Sequence, residues 1–371
     1  MRELPTQERL LEALLFFLQR PSVTGDEKWL CDDLEERLGK LTGWRIERVS
    51  NNLVVSRAAT DVSRERLVFA GHLDTVPEPL GGLPVRVEGD RVYGRGSSDM
   101  KAGDAVMLAL LEDLGWESSW AEPTFVFYER EEGPYSENGL EAVFEECPWV
   151  VDAELAFILE PTANALEVGC VGTAQVEVTF EGTPAHSARP WQGENALTAA
   201  GRFLTRLHER EAEEILVEGL PFYEVLSPTM ARGGRAKNVV PDEFWINVNH
   251  RFPPGRGHDH VMRVFDGLLK EAGGRARYEI ADFAPSGSVD LDHPLLQSFV
   301  SDGLVVRQKQ AWTDVARFAQ HGVAAVNFGP GLTTQAHQQN EYAELPLLLQ
   351  NHERFRVFLE TGPTEVERGS R

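Results

Sequence analysis

Short apolar runs alternating with helix-like stretches do most to fix the fold of this chain. Between Leu67 and about Pro161 the runs Leu67 to Ala70, Thr124 to Tyr128 and Leu155 to Leu159 are strand-like, and the stretch Ala102 to Leu114 between them is helix-like. Runs this short and this apolar suit strands buried in a sheet, and their alternation with helices implies an α/β fold with a mostly parallel central sheet flanked by helices. Such a sheet also says where to look for chemistry. Its ligands sit just beyond the carboxyl ends of the strands.

Acids and histidines gather at those ends. The first run leads into Gly71-His72-Leu73-Asp74-Thr75-Val76-Pro77. Side chains at i and i+2 of a strand point the same way, so Asp74 can hydrogen-bond the His72 ring nitrogen that is not on a metal. Further on come Gly94-Arg95-Gly96-Ser97-Ser98-Asp99, with Asp99 between a glycine turn and a helix, then Arg130-Glu131-Glu132-Gly133, Glu160-Pro161-Thr162 and Ala336-His337-Gln338. Two histidines and three carboxylates suffice for two metal ions if one carboxylate bridges. Mixed nitrogen and oxygen ligation suits Zn2+, with Co2+ or Mn2+ as substitutes. Adjacent glutamates in a strand face opposite sides, so the turn begun by Gly133-Pro134 is expected to re-aim one of them.

The texture changes near Gly172. Thr173 to Phe180 alternates apolar and polar residues as a half-exposed strand does. A helix-like stretch from Glu194 to about Glu213 follows, then strand-like Tyr223 to Met230 and Phe244 to Phe252, a helix from His258 to Glu271 and a strand from Ala276 to Ile280. This is the β-α-β-β-α-β order of a small ferredoxin-like α+β domain. Buried-strand character resumes at Ala324-Ala325-Val326-Asn327-Phe328. The expected organisation is residues 1–171 and 282–371 as two parts of one larger domain, with residues 172–281 inserted between them, which is easy when the ends of the insert lie close together.

A formal net charge of -23 argues against nucleic acid or an anionic membrane surface as partner, since both need a basic face. It permits an anionic small molecule wherever a few cationic side chains gather. Cys31, Cys147 and Cys170 are an odd set without the spacing of a zinc ribbon or a disulfide framework, so reduced thiols are expected. The apolar stretch Leu10 to Leu18 is interrupted by Glu12 and preceded by Glu3 and Glu8. It reads as an amphipathic helix, neither a signal peptide nor a membrane span, and points to a cytoplasmic protein.

With these motifs in this order, the chain from about residue 7 to 360 resembles the co-catalytic di-zinc aminoacylase and carboxypeptidase family. The resemblance implies a zinc exopeptidase-like fold whose inserted domain serves as lid and homodimer contact. It also implies two Zn2+ per subunit. His72 and Glu160 would hold one, Glu132 and His337 the other, and Asp99 would bridge them. Asp74 would orient His72, and Glu131 would be the general base. His186, in Ala185-His186-Ser187-Ala188-Arg189, would reach a neighbouring subunit's site and polarise the scissile carbonyl.

Within the family, Phe125 to Glu132, Asn138-Gly139-Leu140, Gly169 to Thr173, Ala185 to Arg189, Trp312 to Phe318 and Val326 to Gly331 are similar to the succinyl-diaminopimelate desuccinylase branch, as found in actinobacteria and some proteobacteria. That similarity implies a small N-acyl amino acid as substrate. Arg251 is the first choice to clamp a substrate carboxylate, because a guanidinium offers two parallel hydrogen bonds. Asn238 matches a position near the bound substrate, Thr313 lies in one matching stretch, and Gly329 opens a glycine-rich turn whose backbone N–H groups can hold a carboxylate. One departure stands out. Some desuccinylases carry a basic residue where this chain has Gly169-Cys170-Val171-Gly172, and Arg189 and Arg317 are the candidates to replace it. An N-acetylornithine deacetylase, a broader aminoacylase or a metallocarboxypeptidase would share every metal ligand. The presence of Glu131 speaks against a non-catalytic metal-binding scaffold.

Overall fold

The computed structural model describes residues 5–59, 61, 63–113, 119–273, 275–300 and 303–363, and the chain divides into two compact units. The first comprises residues 1–169, 290–307 and 313–371, and the second residues 170–289 and 308–312.

In the first unit eight strands run in the order Trp44–Val49, Asn52–Arg57, Glu122–Tyr128, Arg66–His72, Leu155–Pro161, Ala324–Gly329, Leu166–Val168 and Val306–Gln308. Glu122–Tyr128, Arg66–His72, Leu155–Pro161 and Ala324–Gly329 pair in parallel. The parallel character is concentrated in these four, while Trp44–Val49, Asn52–Arg57 and Leu166–Val168 join antiparallel at the flanks. Every residue of Glu122–Tyr128 and Leu155–Pro161 is buried, as expected of strands covered on both faces. Phe69 stacks on Phe125 and Phe157 at 5.1 and 5.6 Å and meets Phe355 edge-on at 5.0 Å. Helices Thr6–Leu18, Lys101–Asp113 and Leu345–Thr361 pack on one another, and Lys101–Asp113 also lies against the strand Arg66–His72. Leu114, the last residue of the helix expected from Ala102, lies outside the described residues.

Parallel pairing has a direct consequence for function. The register sets His72 opposite Tyr128 and Gly329 opposite Pro161, so the chain leaves the sheet at one common edge after each of these strands. A small antiparallel sheet of Tyr342–Glu344, Arg91–Tyr93 and Arg86–Glu88 then brings residue 341 beside residues 94–99.

The second unit is built on a five-stranded antiparallel sheet, in the order Glu213–Val217, Leu220–Gly233, Glu243–Phe252, Gly172–Glu181 and Ala276–Ala284. Gly172–Glu181 buries alternate residues, and Ala174, Val176, Val178 and Phe180 form its core with Phe203, Val261, Phe265 and Leu268 from helices Gly201–Glu209 and His258–Ala272. The helix expected from Glu194 to Glu213 is corrected here. It is two shorter helices, Ala196–Ala199 and Gly201–Glu209, and the acidic stretch after Arg210 enters an edge strand instead. Glu218 and Gly219 have φ of 48° and 80°, which makes the two-residue turn that folds Glu213–Val217 back onto Leu220–Gly233.

Candidate metal centre

The common edge of the parallel strands carries the candidate ligands. His72 ends its strand fully buried, with its Nε2 3.4 Å from Asp99 Oδ1 and 3.9 Å from Glu160 Oε1. His337 Nε2 lies 2.8 Å from Glu132 Oε1 and 3.4 Å from Asp99 Oδ2. The two oxygens of Asp99 thus face two different imidazoles. His72, Asp99 and Glu132 each offer one ligand atom within 4.8 Å of the others.

This donor set fits a pair of divalent cations. His72 Nε2 is buried without a hydrogen-bond partner, which is costly unless something occupies the space it faces. Asp99, Glu131, Glu132 and Glu160 crowd the same edge, and buried carboxylates need positive charge nearby. Without an ion the histidines supply it as protons. Burial opposes the charged form of His72, but attraction to Asp74 and Asp99 lifts its pKa well above the usual value. Hydrogen bonds to Asp99 and Glu132 raise that of His337 to about 10. Burial pushes the Glu131 carboxyl well above the ordinary glutamate range, with Glu160 and Glu132 adding to the effect and His72 opposing it.

The Asp74 carboxylate is within ion-pair distance of the His72 imidazole, but a backbone group stands nearer to it. His72 Nδ1 faces the Asp74 backbone carbonyl at 3.0 Å, with the carboxylate farther away at 3.5 Å. The strand has ended at His72, so the i, i+2 geometry of a strand no longer applies. Instead the Asp74 carboxylate accepts hydrogen bonds from the backbone N–H groups of Glu131 and Glu132 at 3.0 and 3.1 Å and from Thr24 Oγ1 at 2.8 Å. One buried acid therefore grips both adjacent glutamates. Their re-aiming also starts earlier than Gly133-Pro134, since Arg130 has φ of 62°. A left-handed conformation is strained in a non-glycine residue, and His337 shares it at φ 61°.

Two organising acids had no role in the reading of the sequence. Glu341 is buried and accepts from Arg95 Nη1 at 2.8 Å and from the N–H groups of Gly96, Ser98 and Asp99 at 3.1, 2.9 and 3.1 Å, which shapes the turn presenting Asp99. Asp314 accepts from Tyr128 Oη at 2.7 Å and Asn138 Nδ2 at 3.0 Å, and pairs with Arg317 Nε at 2.8 Å. Asn138 also caps the helix Gly139–Glu146 through Leu140 N–H, so this network ties the strand before Glu131 to two helices. Asp314 stands in the stretch Trp312 to Phe318, whereas nothing in the sequence marks Glu341.

The other candidates divide between the units. Gly329 and Thr313 belong to the first. The Gly329 N–H donates to Thr162 Oγ1 at 3.2 Å, so the expected use of that N–H for a substrate carboxylate is corrected. Gly329 is required by close approach, because a Cβ there would lie 2.2 and 2.4 Å from the carbonyl oxygens of Leu159 and Glu160. Thr313 is buried just before the helix Val315–Gln320. Arg317 is fully buried and held by Asp314, by Glu141 at 2.7 Å and by the Tyr135 carbonyl, which removes it as the substitute basic residue. His186, Asn238, Arg251 and Arg189 belong to the second unit. His186 and Asn238 are neighbours there, as Ser187 N–H donates to the Asn238 carbonyl at 2.9 Å. The exposed His186 accepts the Ala188 N–H on Nδ1 at 3.0 Å, which leaves its proton on Nε2. Arg251 Nε donates to Asn249 Oδ1 at 2.9 Å. Among the described residues no helix is long and apolar enough to cross a membrane.

Comparison with known proteins shows the family of the chain. A succinyl-diaminopimelate desuccinylase of Corynebacterium glutamicum is 35% identical over 332 residues, covering 86% of this chain and 88% of its own. DapE of Mycobacterium tuberculosis is 39% identical over 341 residues, covering 89% and 92%. An acetylornithine deacetylase of Myxococcus xanthus is 30% identical over 321 residues, covering 80% of each. Among solved structures, a tripeptidase of Staphylococcus aureus superposes with a TM-score of 0.79 at 22% identity, over 98% of this chain and 99% of that one. The YXEP protein of Bacillus subtilis, a dinuclear metal-binding peptidase, superposes with a TM-score of 0.66 at 15% identity, over 96% and 99%. Those two likenesses concern the fold. The profile of peptidase family M20/M25/M40 matches residues 68–361, and the chain, a hydrolase of amide bonds, belongs to that family.

Proposed function

We propose that this protein is a di-zinc amidohydrolase that cleaves N-succinyl-LL-2,6-diaminopimelate to LL-2,6-diaminopimelate and succinate, a step in lysine and peptidoglycan precursor synthesis. The observation that carries the reading is the division of labour between adjacent glutamates. Asp74 fixes both backbone N–H groups, Glu132 turns to His337, and no hydrogen bond to His337 engages Glu131. His72 and Glu160 would hold one Zn2+, Glu132 and His337 the other, with Asp99 between them. The chemistry such ions supply is Lewis acidity toward an amide carbonyl and a lowered pKa of water.

The protein's own groups do the rest. Glu131 takes a proton from the attacking water and returns it to the leaving nitrogen, and the burial that raises its pKa above the ordinary glutamate range strengthens it as the holder of that proton. His186 presents an Nε2 proton to the carbonyl oxygen as negative charge develops there, acting from a neighbouring subunit of a cytoplasmic homodimer. Arg251 and Asn238 are assigned to substrate carboxylates, and with Arg317 buried, Arg189 is the remaining candidate to replace the missing base near Cys170. The C. glutamicum relative supports the succinyl substrate, while the M. xanthus relative keeps N-acetylornithine as the second reading.

A hydrolysis panel on zinc-loaded protein decides between them. N-succinyl-LL-2,6-diaminopimelate should be hydrolysed with the highest kcat/KM, ahead of N-acetylornithine and a carboxypeptidase peptide. Preference for either of the latter would refute the substrate while leaving the metal chemistry standing.

A further inference from the structure

The second unit contains a buried cluster that the proposed reaction does not use. Glu224, on the strand Leu220–Gly233, and His250, on the adjoining strand Glu243–Phe252, are fully buried, and His260 stands in the first turn of the helix His258–Ala272. His250 Nε2 and His260 Nε2 approach the same oxygen, Glu224 Oε1, at 2.9 and 3.0 Å. Glu224 Oε2 is paired with Arg256, and Arg210 lies 3.6 Å from Oε1. Both arginines also reach Glu213, at 3.5 and 3.8 Å.

Two features argue for a cation site. The ligand atoms come from three separate elements and lie within 4.8 Å of one another, and the two edges to Glu224 Oε1 are close to the roughly 3.3 Å edge of a tetrahedron around zinc with bonds of about 2.0–2.1 Å. A solvent-facing recess lined by Arg256, His258, His260 and Arg263 opens on the His260 side of the cluster. We propose that Glu224, His250 and His260 form a second, structural site for a zinc-like divalent cation, which cross-links the helix His258–Ala272 to the two strands. Arg256 holds the other oxygen, Oε2, which His260 Nε2 also approaches at 3.1 Å.

The test uses the full chain carrying His72→Ala, Asp99→Asn and His337→Ala, which disables the centre in the first unit. After chelator stripping, titration with Zn2+ against a chromophoric chelator should show one equivalent bound at micromolar or tighter affinity, with a rise in Tm on loading. Adding His260→Gln, a partly exposed position, should abolish both responses while the metal-free Tm stays that of the parent. X-ray absorption of the zinc-loaded parent needs no change in the cluster, and should give two imidazoles and a carboxylate oxygen. No bound equivalent, a shell without imidazole, or an equivalent retained by the folded His260→Gln chain would each overturn the proposal. A wild-type chain that binds no more zinc than the triple variant would refute the first-unit centre and leave this site standing.

Discussion

At the scale of residues, the site depends on carboxylates placed to do different work. Asp74, Glu131 and Glu132 are chemically alike, yet one holds backbone, one faces a histidine and the third is the proposed base. Glu131→Gln should therefore lower kcat by about 10²–10⁴ with zinc content unchanged, as metal analysis beside a single-turnover assay would show. The histidines predict a pH dependence of metal binding. His337 has its pKa raised to about 10, so near neutral pH it must lose a proton before it can ligate, and affinity falls as pH falls. Between pH 6.5 and 8.5, zinc affinity measured by chelator competition should rise about tenfold per pH unit for one released proton, and more steeply if His72 releases another. The candidate ligands His72, Asp99, Glu132 and Glu160 stand out in the sequence because each follows an apolar run or a glycine turn. Glu341 does not, because its role exists only once Tyr342–Glu344 pairs with Arg91–Tyr93, about 250 residues earlier in the chain.

At the scale of elements, the buried runs announced the strands, but not how tightly their ends pack. Gly329 illustrates the difference. In the sequence it is a glycine in a turn, which suggests free N–H groups; in the fold it is the point where one parallel strand's end lies against the backbone at Leu159 and Glu160. Gly329→Ala should destabilise the protein by about 1–3 kcal/mol through overpacking against atoms that cannot rotate away. It should also displace Glu160, so zinc affinity should fall alongside the urea midpoint. A variant that loses stability but binds zinc like wild type would mean that Glu160 is not a ligand. The edge strand Glu213–Val217 shows the opposite limit of the sequence. Glutamates favour helix locally, yet the positive φ at Glu218 and Gly219 and the pairing with Leu220–Gly233 decide in favour of strand.

At the scale of the whole molecule, the proposed mechanism asks two chains to build one site. His186 lies in the second unit and the candidate zinc ligands lie in the first, so the proposal that a neighbouring subunit supplies the histidine is a statement about assembly. Subunit mixing tests it directly. His186→Ala leaves a chain with an intact Glu131, and Glu131→Gln leaves a chain with an intact His186. Each homodimer should be nearly inactive, because each lacks one group at both sites. In a heterodimer with the histidine acting across the interface, the site with Glu131 receives its His186 from the other chain and is complete, whereas the second site lacks both. Random pairing of equal amounts makes half the dimers mixed, so co-expressed chains should recover about a quarter of wild-type kcat. If His186 served its own chain's site, each site in the mixed dimer would still lack one group and no activity would return. Separating differently tagged chains before assay would place the recovered activity in the mixed dimer, and its absence there would refute the shared site.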